Sequence, residues 1–176
     1  MRINHIYTTI IISILFSSCS STHLGKRKNE NNLNPVQFFI GKTRSNGVIE
    51  NRLGKPTINI TTETAGVFKD SILKVEQDLY PEGQRKNHRS WQIKQLDETH
   101  VEARANDIDG RAIGTLNGDQ FSWTFRLKLP NRKFIKHARM TQYYYVMPDG
   151  QTMIIRSIIR KFCFTVAQIT EQFQKY

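Results

Sequence analysis

Hydrophobic and polar residues alternate over most of the chain downstream of Pro35. The clearest run is FSWTFRLKL (121–129), in which Phe121, Trp123, Phe125, Leu127 and Leu129 are separated by single polar residues. Side chains of a β-strand point alternately to opposite faces, so this period predicts a strand with one buried face and excludes a helix. The same alternation occurs in SILKVEQDLY (71–80), RSWQIKQL (89–96) and HVEARAND (100–107).

Short turn sequences rich in Gly, Pro, Asn and Asp separate these runs, among them RLGK, PEG, DIDG, NGD and PDG. Strands joined by tight turns form an antiparallel meander, and closing the meander into a barrel removes its exposed edges. We therefore expect an all-β fold, an antiparallel meander of about eight to ten strands closed into a barrel, as one domain over residues 35–176. One short helical turn is expected in NPVQFFIG (34–41). The C-terminal FTVAQITEQFQKY (164–176) is interpreted as a closing strand, with a helix as the alternative.

The first residues follow a different pattern. Arg2 is the only charged residue before the apolar run IIISILF (10–16), which is followed by Ser17, Ser18 and Cys19. A membrane-spanning helix needs about 20 apolar residues, so the shorter run is typical of a secretory signal. Its small-small-Cys ending resembles the bacterial lipoprotein signal, in which the cysteine is acylated and becomes the new N-terminus. We expect a signal peptide over 1–18, lipidation at Cys19 and a flexible linker over 19–34. A plain cleaved secretory signal and an uncleaved segment are the alternatives.

The residue after the cysteine and the overall charge bear on location and partners. Cys19 is followed by Ser20 and not by Asp, which by resemblance to Gram-negative sorting rules favours the outer membrane. We expect the protein to face the periplasm and to be held by acyl chains such as palmitate. The chain has 26 Lys+Arg against 15 Asp+Glu, a net charge of +11 that is spread along its length. A solvated basic surface explains this charge, and contact with anionic envelope lipid is the alternative. No nucleic-acid-binding module is recognisable, so no nucleic acid partner is expected.

Motifs of known catalytic and metal sites are lacking from the sequence. It contains no GxSxG, HExxH, P-loop or GxGxxG pattern, and its two cysteines, Cys19 and Cys163, exclude a disulfide framework and a Cys–His metal cluster. We therefore expect no cofactor, no metal and no catalytic residue, and a protein that is not an enzyme. An enzyme that acts on a lipid inside the barrel, using Asp107 or a histidine, is an alternative.

Two charged residues fall on the inward faces of predicted strands. Arg89 is in phase with Trp91, and Asp107 is in phase with the alanines of HVEARAND. A buried charge must be paired or must serve a ligand. One interpretation is an Arg89–Asp107 pair, or stacking of Arg89 on Trp91, that closes one end of the barrel. The other is a guanidinium that receives the carboxylate or phosphate of a fatty acid or another amphiphile in an apolar calyx. Arg89, Trp91, Asp107, Trp123 and Phe125 are therefore the candidate ligand-binding residues. A filled barrel that serves as an interaction scaffold remains the alternative.

An ordered set of stretches extends over nearly the whole chain after the linker: FFIG (38–41), NGVIENRLGK (46–55), DLYPEGQRKNHRSWQI (78–93), ANDIDGRAIG (105–114), NGDQFSWTFRLKLP (117–130), RKF (160–162) and VAQITEQF (166–173). The set resembles the uncharacterised bacterial lipoprotein family catalogued as domain of unknown function family 3833. This resemblance implies an envelope lipoprotein with a lipocalin-like, calycin-type barrel, and it supplies no reaction. Arg89, Trp91, Asp107, Gly110 and Trp123 fall on positions that look like the family's motif. Cys163 stands where the family tends to have Gly, and a half-buried thiol is expected there.

Overall fold

The computed structural model describes residues 34, 36–117, 120–129 and 136–176, which form a short 3-10 helix and ten β-strands. The 3-10 helix is Gln37–Phe39. The strands are β1 Gly41–Asn51, β2 Pro56–Lys69, β3 Ile72–Pro81, β4 Asn87–Gln95, β5 His100–Ala105, β6 Ile108–Asn117, β7 Gln120–Lys128, β8 His137–Val146, β9 Thr152–Lys161 and β10 Phe164–Lys175.

Each strand pairs in antiparallel fashion with the next along the chain, and β1 pairs with β10, so the sheet closes into a barrel. In the closing pair, Ser45 lies opposite Phe173 and Asn51 lies opposite Ala167. The predicted all-β meander is thereby confirmed, and the C-terminal segment is a strand. The short helical turn expected near NPVQFFIG is the 3-10 helix.

No helix in this part of the chain is long and apolar enough to cross a membrane.

The two ends of the barrel differ. The 3-10 helix precedes β1 and lies at the end that also carries the β2–β3, β4–β5 and β8–β9 turns, and we call this the helix end. Gly66 of β2 lets the helix approach the sheet, because a β-carbon there would collide with the backbone carbonyl of Phe39. The opposite end, which we call the far end, carries the β1–β2, β3–β4, β5–β6 and β9–β10 turns.

Cys163 lies in the β9–β10 turn at the far end and is exposed. The expectation of a half-buried thiol is wrong, because the residue sits beyond the last paired residues of both strands, where no neighbouring strand covers it.

The predicted signal peptide, Cys19 and the linker as far as residue 33 lie outside the described residues. All ten strands lie between residues 41 and 175. A chain of residues 20–176 therefore contains the whole closed sheet together with the 3-10 helix.

Candidate functional site: the barrel interior

Arg89 and Asp107 meet at the far end of the barrel. Arg89, whose side chain is only 8% exposed, comes from the start of β4 and faces inward as predicted. Its Nε donates hydrogen bonds to both oxygens of Asp107 at 2.9 and 2.8 Å, and its Nη2 lies 2.7 Å from Oδ2. The guanidinium carbon also lies 5.4 Å from the centre of the Trp91 ring. Both contacts of the pairing interpretation are thus present, and the guanidinium is engaged by the protein itself.

Asp107 does not lie on the inward face of a strand. The sequence predicts a strand that runs through residue 107, but β5 ends at Ala105 and Asp107 belongs to the β5–β6 turn, with 31% of its side chain exposed. Side chains alternate between the two faces of a sheet only within a paired strand. Sequence spacing therefore does not predict which way a side chain points beyond the end of that strand.

The predicted inward residues Trp91, Trp123 and Phe125 form one wall of the interior. The two indole rings are stacked with centres 4.6 Å apart, and Phe125 contacts Trp91 edge-on at 5.4 Å. Trp123 donates a hydrogen bond to Gln142 Oε1 at 2.8 Å, and the Tyr144 hydroxyl donates to the same oxygen at 2.9 Å. Stacked and edge-to-face aromatic pairs are favourable geometries, so the three rings of this aromatic wall stabilise one another.

The opposite wall is polar, although it is buried. Glu171 of β10 is only 5% exposed, and its Oε1 accepts hydrogen bonds from Ser45 at 2.7 Å and from Thr62 at 2.6 Å. Thr43 and Thr64 share a hydrogen bond of 2.7 Å one step closer to the helix end. We call Thr43, Ser45, Thr62, Thr64 and Glu171 the polar strip.

Gly47 lets β1 approach β10 closely beside Glu171. A β-carbon at Gly47 would collide with the backbone carbonyl oxygen of Thr170 and would lie 2.6 Å from Glu171 Cγ, which is closer than real side chains approach. Burial raises the pKa of Glu171, while the hydrogen bonds from Thr62 and Ser45 and the positive charge of Arg89 act in the opposite direction. Desolvation is the largest of these effects, so the pKa of Glu171 lies above that of an exposed glutamate.

A small cavity separates the aromatic wall from the polar strip. Its volume is about 20 Å³, which is enough for one water molecule. Glu171, Trp91, Trp123, Tyr144 and Phe39 are among its lining residues. Phe39 is the contribution of the 3-10 helix, and its ring contacts Phe173 edge-on at 5.7 Å. The interior is therefore filled by side chains, with the 3-10 helix as its cover at the helix end.

The hydrophobic pattern of the sequence predicts the aromatic wall but does not predict the polar strip. In KTRSNG and TTETAG both faces of the strand are polar, so alternation of hydrophobicity cannot tell which face is buried. One signal was available, because Glu171 is two residues before Phe173 and must share its face in a strand.

A second polar cluster lies on the outer surface of β3 and β4. His88 Nδ1 is 2.8 Å from Asp78 and Nε2 is 2.9 Å from Glu76, and Lys86 lies 2.9 Å from Asp78. The hydrogen bond with Asp78 raises the pKa of His88 more than burial lowers it, and the bond with Glu76 adds a smaller rise. Within the ranges that the structure describes, no group of His, Cys, Asp and Glu side chains is arranged to hold a metal ion.

A protein-family model described as "Protein of unknown function (DUF3833)" matches residues 13–175. The chain belongs to this family. No curated protein matches the chain. The predicted membership is confirmed, and it carries no assigned activity.

Two solved structures share the fold. An S-type phycobiliprotein lyase, CPES, from Guillardia theta has a TM-score of 0.56 and 10% identity, covering 80% of this chain and 90% of the lyase chain. Rv2717c from M. tuberculosis has a TM-score of 0.57 and 14% identity, covering 82% of this chain and 99% of the other. These similarities confirm the lipocalin-like, calycin-type barrel.

The prediction that this protein is not an enzyme is wrong. The prediction rests on the lack of short catalytic motifs in the sequence. CPES, which has the same fold, is a lyase and therefore an enzyme. Catalytic groups in such a barrel are brought together by the fold from separate strands, so the lack of a short motif does not exclude them.

Proposed function

We propose that this chain binds a hydrophobic or amphiphilic ligand inside the barrel, with the polar group of the ligand at Glu171 and its apolar part against the aromatic wall. The observation that carries the proposal is the burial of the Glu171 carboxyl group opposite Trp91 and Trp123. The similarity to other lipocalin-like barrels is consistent with it.

A purely structural interior would not need this carboxyl group. Burying a carboxyl group is costly unless it is fully satisfied, and apolar residues of similar size often stabilise a core better. Oε1 of Glu171 holds two hydroxyl donors, and among the described residues no Lys, Arg or His lies within ion-pair distance of either oxygen. A carboxyl group accepts hydrogen bonds in either protonation state and also donates one when it is protonated, so it suits the carboxyl or hydroxyl group of a fatty acid or a similar amphiphile.

Ligand entry requires the 3-10 helix to move. The cavity of about 20 Å³ is far smaller than the roughly 300–1,000 Å³ of ordinary ligand pockets. Phe39 lines the cavity and is carried by a segment outside the sheet, so its ring can leave without breaking a strand pair. The ligand would then occupy the place of the ring.

The first test is native mass spectrometry of residues 20–176 purified from bacteria, which would detect a co-purified lipid. Titration with oleic acid follows, read by tryptophan fluorescence, because both tryptophans of the chain belong to the aromatic wall. We expect saturable binding that weakens up to about tenfold in Glu171→Gln, the equivalent of one lost hydrogen bond.

Glu63→Gln is the matched control for this titration, because Glu63 lies on the outer face of β2, where its side chain contacts Arg44 at 3.9 Å. Its affinity for oleic acid should equal that of the wild type. An apo mass together with an unchanged fluorescence spectrum at every fatty acid concentration would refute the proposal.

The location of the protein forms part of the same proposal. An acyl-anchored Cys19 would hold the barrel at the Gram-negative outer membrane, facing the periplasm, where amphiphiles are abundant. Feeding cells with labelled palmitate should label the wild type and leave Cys19→Ala unlabelled. Label in both proteins would place the modification elsewhere.

The filled interior favours a second candidate, a lipoprotein whose barrel is an interaction scaffold for another envelope component. Its supporting observation is the cavity of about 20 Å³. This candidate predicts that residues 20–176 bind no fatty acid and capture an envelope protein in a salt-sensitive manner, since only Arg2 of the chain's net charge of +11 precedes residue 20.

A further inference from the structure

Apolar side chains are exposed on two adjacent turns at the far end of the barrel. Phe162 and Phe164 of the β9–β10 hairpin are 84% and 74% exposed, and Leu53 in the β1–β2 turn is also exposed. Because β1 pairs with β10 up to Asn51 and Ala167, the two turns lie side by side. Contiguous exposed apolar groups on a protein surface mark an interaction site.

The charges of the turns differ between the two ends. The described turn residues of the far end include the cations Arg52, Lys55, Arg85, Lys136 and the Asp78-bound Lys86, against Glu82 and the Arg89-bound Asp107. The described turn residues of the helix end include Asp70, Asp97, Glu98 and Asp149, and no Lys or Arg is among them. Lys42, Lys69 and Lys175 at the strand ends of the helix end offset part of this difference, so an anionic surface would attract the far end more strongly than the helix end.

The backbone at Phe162 supports a role for its side chain. Phe162 has a φ of 53°, in the left-handed region that Gly and Asn tolerate and that a bulky aromatic residue rarely adopts. Lys161 Nζ lies 5.0 Å from the centre of the Phe162 ring. A large aromatic residue is thus kept at an exposed turn where neither backbone conformation nor packing favours it, and strained residues of this kind mark functional positions.

We propose that the far end of the barrel docks on an anionic lipid bilayer, with Phe162, Phe164 and Leu53 in the interfacial region and the neighbouring cations on the lipid headgroups. Aromatic rings favour the membrane–water interface, and Lys and Arg near the surface are attracted to anionic lipid. The charge difference between the two ends favours a bilayer over an uncharged partner. This proposal does not depend on ligand binding in the interior.

Vesicle sedimentation tests the proposal with residues 20–176, which carry no acyl chain. We expect binding to vesicles of phosphatidylcholine with phosphatidylglycerol, much weaker binding to phosphatidylcholine alone, and loss of binding with added salt. Phe162→Asn with Phe164→Ser should weaken binding about tenfold or more through lost apolar contact. Arg52→Gln with Lys55→Gln should weaken it by about fivefold for each charge removed.

The helix end supplies the matched control, because it also exposes two apolar side chains. Val67→Ser with Phe68→Ser removes two exposed apolar side chains there, of somewhat smaller exposed area, and should leave vesicle binding unchanged. Equal loss in both double variants, or equal binding to neutral and anionic vesicles, would overturn the proposal. Self-association without vesicles that disappears in the Phe162 and Phe164 variant would assign the surface to a second copy of the chain and would also overturn it.

Cys163 provides a direct readout that does not depend on those variants. It is exposed between the two phenylalanines, and it is the only cysteine in residues 20–176. An environment-sensitive fluorophore on Cys163 should shift to the blue on addition of anionic vesicles. The same label on Glu98→Cys in a Cys163→Ser background, at the helix end, should not shift. A shift only at the helix end would mean that the wrong end has been assigned.

Discussion

The role of Phe39 as the inner cover of the barrel can be tested by removing its ring. Phe39 is buried, and its ring contacts Phe38, Tyr144 and Phe173 edge-on at 5.8, 6.3 and 5.7 Å. Phe39→Ala therefore deletes an aromatic ring that packs against side chains of β8 and β10 beside the cavity.

The expected cost follows from the area and the volume that the ring fills. An aromatic side chain buries about 150 Å² or more, which at about 25 cal/mol per Å² corresponds to roughly 4 kcal/mol, and substitutions of this kind in cores cost about 3–5 kcal/mol. We expect about 3 kcal/mol, the lower end, because the 3-10 helix lies outside the sheet and can settle into the space. This is a large part of the roughly 5–15 kcal/mol that stabilises a typical domain.

Urea unfolding of residues 20–176, followed by tryptophan fluorescence, measures this loss. With a slope of about 1–3 kcal/mol per M, the midpoint should fall by about 1–3 M. Phe68→Ala is the control, because Phe68 is at the same end of the barrel but is 59% exposed, and it should change the free energy of unfolding by less than about 0.5 kcal/mol.

A second arm of the experiment uses benzene, which binds ring-sized apolar cavities. Benzene at ten times its dissociation constant should return about 1.4 kcal/mol to Phe39→Ala and nothing to the wild type. If Phe39→Ala is as stable as Phe68→Ala, or if benzene stabilises both proteins equally, the ring is not part of the packed interior and the proposed route of ligand entry is wrong.

Three further predictions concern other buried and titrating groups. Burial raises the pKa of Glu171 above 4.5 in the folded state. The contribution of Glu171 to stability is therefore fully present below pH 4.5, and it is lost as pH rises through the folded-state pKa and the carboxyl group ionises. The free energy of unfolding of Glu171→Gln should therefore rise relative to that of the wild type between about pH 4 and pH 8, by about 1.4 kcal/mol per unit of pKa rise. Urea unfolding at the two pH values measures this, and the same difference between variant and wild type at both would contradict it. Gly47→Ala should lose about 1–3 kcal/mol through overpacking against β10, and most of the loss should persist in a Glu171→Ala background, because the nearest atom is the backbone carbonyl oxygen of Thr170; a loss that disappears in that double-mutant cycle would assign the overpacking to the Glu171 side chain alone. In an NMR titration His88 should show a pKa above 6.5 that moves back toward 6.5 in Asp78→Asn. Because the folded-state pKa is raised, the stabilising contribution of His88 is present below pH 6.5 and disappears above the raised pKa. A pKa below 6.5 in the wild type would refute the assignment.

The aromatic half of the interior was predictable because it follows from strand geometry alone. Trp91, Trp123 and Phe125 alternate with polar residues, and a strand with this pattern has one orientation that buries the apolar set. Closure of the barrel was predictable for a related reason, since an open sheet of this length would expose two edges.

The polar half was not predictable from hydrophobicity. Ser45 and Thr62 look like surface residues in the sequence, and only the contact with Glu171, more than a hundred positions away along the chain, makes them interior residues. Long-range partners of this kind depend on strand register, which the sequence of one strand does not contain. The ion pair of Asp107 with Arg89 was foreseen as a contact, whereas its position in a turn was not.

Pairing of β1 with β10 has a consequence for biosynthesis. Ser45 and Glu171 are 126 positions apart, so the strand that closes the sheet is translated long after its partner. Until Phe164–Lys175 has left the ribosome, β1 and β9 keep unpaired edges, and contacts this distant in sequence form slowly. The sheet of the nascent chain should thus remain open through most of translation, and its edges would need protection from aggregation until the last strand arrives.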